Sequence, residues 1–143
     1  MGDPAYVEIV CRKDDAPVFE AIGFMEEFRP GLPSHLLAMV DAEASEGSSS
    51  ELRTLAEKSI VFRGWHDAGD AYDGACFASA GGKFYDVPRI NHSDLPCIEV
   101  HADGTVDADQ LVAARQYLLA FDQVGSMFSL PSGAESEEAT QQC

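Results

Sequence analysis

Two strand-like runs, residues 75–80 and 83–88, are separated by only Gly81-Gly82. So short a connection joins antiparallel neighbours, and two glycines supply the positive φ angles that a tight hairpin turn needs. The chain is thereby committed to an antiparallel hairpin. Further strands are expected at 5–12, 35–42, 60–65 and 96–101. In AYVEIVCR, Val7, Ile9 and Cys11 alternate with Tyr6, Glu8, Val10 and Arg12, which predicts a strand with one buried side. HLLAMVDA, from His35 to Ala42, is apolar enough for a strand. Helix is its competing state, because Leu, Ala and Met favour helices.

Three helices are expected. The first starts at Asp15 as cap with Pro17 in its first turn and runs to about Phe28, weakened by Gly23. In the second, Ser48 and Glu51 have capping-box spacing ahead of Leu52, Leu55 and Ala56. The third is capped by Asp107 with Gln110 three residues on. Its Leu111, Ala114, Leu118 and Phe121 share one face, expected to pack on the sheet. The order β-α-β-α-β-β-β-β-α predicts an α+β fold: a single domain with a largely antiparallel or mixed sheet and two to three helices packed on one face. Residues 1–130 are expected to form that domain. Residues 131–143 lack bulky apolar side chains and are expected to be a disordered polar tail.

Charge narrows the partners. Nine Lys and Arg stand against 25 Asp and Glu, a formal net charge of −16; without the three glutamates of the tail, −13 remains. Such a body repels nucleic-acid phosphates and anionic membrane surfaces, and attracts basic proteins and cations. Solvation alone, or a salt-rich habitat, would select the same composition. No apolar run approaches the ~20 residues that span a bilayer. No export signal is evident in MGDPAYVEIV, so a soluble cytoplasmic protein is expected. Its cysteines, at 11, 76, 97 and 143, would then stay reduced, with those at 11, 76 and 97 expected in strands as core residues.

The densest polar cluster is HDAGDAYDG, residues 66–74. Asp67, Asp70 and Asp73 are candidate ligands for a hard divalent cation, with His66 as a ligand or general base and Tyr72 lining the site. A solvated turn is the competing explanation, since Asp and Gly favour turns for backbone reasons. His92, Asp94 and His101 are further candidates, and His66 and His101 would meet if 96–101 were a strand facing that turn. Trp65, Tyr72 and Tyr85 are candidate partner-binding aromatics, an acid-rimmed anchor if they face outward. By alternation Trp65 lies opposite Phe62, so one of the pair faces outward or both sheet faces are covered. No C-x-x-C pair, G-x-S-x-G or phosphate-binding loop is present, and no catalytic residue is assigned.

The leading functional expectation is a small acidic, non-catalytic binding or accessory protein recognising a basic partner. An inhibitor, an immunity-type protein or a mobile-element accessory protein would fit. Its rivals are a divalent-metal-binding domain or metal-dependent hydrolase using residues 66–73, and a small-molecule binder with a pocket between the sheet and the last helix.

Overall fold

A computed structural model describes residues 4–45, 49–67, 74–88 and 95–129. The strands are β1 (Pro4–Arg12), β2 (Met25–Glu27), β3 (Leu36–Ser45), β4 (Phe62–His66), β5 (Ala75–Ala80) and β6 (Lys83–Pro88). The helices are α1 (Ala16–Glu20), α2 (Ser49–Glu57) and α3 (Ala108–Phe128). All strands pair antiparallel in one sheet of order β2-β3-β1-β4-β5-β6. This is the expected α+β fold. The hairpin forms as anticipated, with Gly81 and Gly82 at φ of 61° and 81°, the pair of positive values that a type I′ turn requires.

Alternation along the strands divides the core into two layers. One face contributes Val7, Ile9, Cys11, Met39, Phe62 and Phe77, packed against Phe19 of α1 and Leu52, Leu55 and Ala56 of α2. Phe19 meets Phe62 edge-on with centroids 5.4 Å apart. Two helices therefore share one face, and α3 covers the other, a correction to the expectation of helices on one face only: α3 buries its stripe where α1 and α2 leave the sheet bare. There Tyr117, Ala120, Val124 and Phe128 pack on Leu36, Val61, Cys76, Ala78, Ala80 and Val87. Coverage of both faces resolves the opposition of Phe62 and Trp65: each packs on its own side.

Four local expectations change. β1 buries residues on both sides, since Glu8 and Arg12 are 7% and 9% exposed opposite the fully buried Val7, Ile9 and Cys11; it is a central strand flanked by β3 and β4. α1 stops at Glu20 because Gly23 takes φ 108° and Phe24 N–H bonds back to the Phe19 carbonyl at 3.1 Å. That left-handed closure ends a helix, and the chain continues as β2. Residues 96–101 are not a strand; they carry only single bridges, such as Val100 with Val106. Cys97 accordingly lies outside a strand and is half-buried. Along α3, Ala114 is buried and Phe121 packs on the core, but Leu111 and Leu118 remain 40% and 41% exposed.

Both ends of α3 are anchored. The Asp107 side chain accepts from Gln110 N–H at 2.9 Å, while the Gln110 amide turns to Glu99, accepting from its N–H at 2.6 Å. At the far end Arg12 donates to the Met127 carbonyl at 2.9 Å, and His35 Nε2 donates to the Phe128 carbonyl. A cation against the last carbonyls opposes the negative end of the helix dipole.

Gly64 shows how closely β1 and β4 approach. A Cβ there would stand 2.1 Å from the Glu8 carbonyl oxygen and 2.9 Å from Ile9 Cα, both backbone atoms. Gly64→Ala is expected to destabilise the protein by roughly 3 kcal/mol, near the upper end for overpacking. Urea unfolding checks this: the midpoint should fall while the slope is unchanged.

Candidate functional site

α3 lies over β4, β5 and β6, so the same sheet face is left open toward β1, β3 and β2. In that opening lies a groove of about 410 Å³ lined by Glu8, Val10, Arg29, Leu32, Arg63 and Trp65, among others. Strand period places its walls. Tyr6, Glu8 and Val10 project from β1 on the side opposite Val7 and Ile9, and Trp65 stands across from Glu8 in the β1–β4 register. The Tyr6 and Trp65 rings lie 5.4 Å apart at 32°. Arg63 spans from the groove to α3, its guanidinium 4.5 Å from the Phe121 ring centroid.

The polar contacts converge on one guanidinium. Arg29 Nη2 donates to Glu8 Oε1 at 2.5 Å and to Glu27 Oε2 at 2.9 Å. The Glu8 side chain is only 9% exposed, whereas those of Arg29 and Glu27 are 40% exposed. Tyr6 Oη donates to Glu27 Oε2 at 3.4 Å. Burial, then the charges of Glu27 and Glu8, pushes the Tyr6 phenol above its ordinary pKa, with Arg29 pulling the other way. The bond to Glu8 leads the causes that raise the Arg29 guanidinium. The lining residues include no histidine, cysteine or serine, and a phenol held protonated is a poor nucleophile. The Glu8 carboxylate and the Trp65 ring line the groove, with Glu27 joined to it through Arg29 and Tyr6 through Trp65; carboxylates and aromatic faces are groups that hold a cation.

Of the residues singled out from sequence, Trp65 belongs to this groove. Tyr85 lies on the same sheet face but lines separate depressions beside α3 with Gln116. Its half-buried ring packs on the α3 core and does not pair with Trp65 as one outward anchor. His66 is buried on the opposite face, its ring 6.4 Å from Phe77 and its Nδ1 3.0 Å from the Asp67 carbonyl. Asp67 is half-buried, its N–H bonded to the Tyr6 carbonyl. His101 is exposed in a turn closed by Gly104 N–H on its carbonyl, so the strand on which a meeting with His66 depended does not form. Asp70, Tyr72, Asp73, His92 and Asp94 lie outside the described residues, as do Cys143 and the proposed tail, 131–143. Among the described residues no three His, Cys, Asp or Glu side chains are grouped to hold a metal ion. No helix among them is long and apolar enough to cross a membrane.

Sequence reasoning missed Glu8, Glu27, Arg29 and Leu32. The available signal was the unusual second face of β1, where Tyr6, Glu8, Val10 and Arg12 mix bulk with charge. Comparison with protein-family models, curated proteins and solved structures returns no match.

Tyr6 offers a direct test of this geometry. Because its folded pKa is raised above the unfolded value near 10.0, the associated stability is present below that pH and lost as pH rises through the folded pKa. Glu27→Gln should lower the Tyr6 pKa and Arg29→Ala should raise it further. Tyrosine ring resonances followed by NMR against pH would read both shifts.

Proposed function

We propose that the chain is a non-catalytic binding module that receives a cationic segment of a basic protein in the Tyr6–Glu8–Trp65 groove. The observation that carries this is Arg29, a guanidinium already seated between Glu8 and Glu27 in a groove that Trp65 also lines. An incoming arginine or lysine would take the same carboxylates and lie against the Trp65 and Tyr6 faces. Net charge of −16 would speed its encounter at low salt. Arg29 acts as the internal competitor, sharing the carboxylates until a partner displaces it. An inhibitor- or immunity-type role suits a small acidic chain built this way. A reducing compartment such as the cytoplasm suits Cys11, Cys76 and Cys97, all present as thiols. Burial pushes the Cys11 thiol up to about 12, which keeps it protonated and inert.

Trp65 is the sole tryptophan, so its emission reports on the groove. Titration with a short oligoarginine peptide should give a saturable change that weakens at high salt, with an oligoglutamate peptide giving none. Glu8→Gln should weaken binding about tenfold or more, the scale of one charged hydrogen bond. Arg29→Ala should tighten it. An emission change that Glu8→Gln leaves untouched, or no change at all, would sink the proposal.

A further inference from the structure

The groove beside Glu8 and Trp65 is lined by two guanidiniums and matches only one of them. Arg29 is held by Glu8 and Glu27. Arg63 lines the same groove, yet among the described residues no ion pair reaches it. Its guanidinium lies instead against Phe121 and Phe128, 4.5 and 6.0 Å from the ring centroids. A ring face attracts the cation but does not accept its in-plane N–H donors. That planar fork is the group that binds an oxyanion through two parallel hydrogen bonds.

Charge balance says which kind of ligand would complete the groove. Glu8 and Glu27 together offset Arg29 and Arg63. A partner bringing only a cation would leave one positive charge in excess, around a Glu8 side chain that is only 9% exposed. Excess charge is costly where little water can screen it. A partner bringing a carboxylate with its cation would leave the site neutral.

We propose that the groove reads the C-terminal end of its basic partner, a terminal arginine whose side chain takes Glu8 and whose α-carboxylate pairs with Arg63. This rests on the cation-binding reading of Glu8. The strand register fits it: Trp65 stands opposite Glu8, and Arg63 opposite Val10. Glu8 and Arg63 are therefore diagonal neighbours on one sheet face, roughly 7–8 Å apart. Six bonds separate the guanidinium carbon of an arginine from its carboxylate carbon, roughly 7 Å when extended. The stem between them would run over Trp65. At about 410 Å³ the groove is near the small end of ligand pockets, roughly 300–1,000 Å³, which suits a chain end.

Two N-acetylated tri-arginine peptides, one ending in the free carboxylate and the other in an amide, test this against Trp65 emission. The chain's net charge of −16 favours the more positive amide, so unspecific attraction and the proposal predict opposite orders. The carboxylate peptide is expected to bind about tenfold tighter or more, the scale of one charged hydrogen bond. Arg63→Gln, its fold verified by circular dichroism, should bring the two peptides to one affinity. An amide that binds as tightly as the carboxylate, or a preference that survives Arg63→Gln, would overturn the inference and leave the cation-binding reading of Glu8 standing. Binding by neither peptide would overturn both. The comparison of the two peptides on the unaltered protein decides the matter even if the variant fails to fold.

Discussion

Everything in this protein hangs on β1 being paired along both edges, with one face fully covered and charged residues buried on the other. Val7, Ile9 and Cys11 are fully buried beneath α1 and α2, and the same strand is hydrogen-bonded to β3 on one side and β4 on the other. Such a strand leaves Glu8 and Arg12 little water to turn to. Burying a charge is costly unless it is partnered, so Glu8 and Arg12 determine what must be built around them. Arg12 donates to the Met127 carbonyl in the last turn of α3. Glu8 is met by Arg29. One charge thus anchors the long helix, and the other draws a loop residue into the groove.

The groove follows from unequal covering of the sheet. α3 contacts β5 and β6 most heavily and β4 only slightly, and its final turn is held near β1 and β3 by Arg12 and His35. A single helix about 10 Å across cannot roof six strands spaced roughly 4.8 Å apart. The uncovered half-face is where Tyr6 and Trp65 find each other, with Arg63 bridging to Phe121 on the covered side. The opposite face has two short helices and a ring of phenylalanines instead, and it is there that His66 is enclosed. Neighbouring residues of β4 therefore point to opposite layers, Trp65 toward α3 and His66 toward Phe77.

What could be read from the chain was governed by distance along it. Gly81-Gly82 specifies its turn because both φ angles lie within the two residues concerned. Asp107 and Gln110 specify the start of α3 because cap and donor are three residues apart. The apolar stripe of α3 was only half legible, since Leu111 and Leu118 are as hydrophobic as Tyr117 and Val124. Periodicity cannot choose between two apolar faces of one helix. Gly23 carried a recognisable signal whose strength was underestimated: a left-handed residue between Phe19 and Phe24 ends the helix and turns Phe24 back into the core. PCIEVH alternates as a strand should, yet among the described residues no neighbouring strand pairs with it as a ladder.

By itself the sequence determined the α+β content, the hairpin, the caps and a strongly acidic surface, all properties of adjacent residues and of their sum. Only the tertiary structure decided that β1 is central, that helices lie on both sheet faces, and that Glu8, Glu27, Arg29, Tyr6 and Trp65 come into contact. Those residues are brought together by antiparallel registers spanning up to about sixty positions. Strand pairing is specified by burial of whole faces, and burial exists only once the chain has closed.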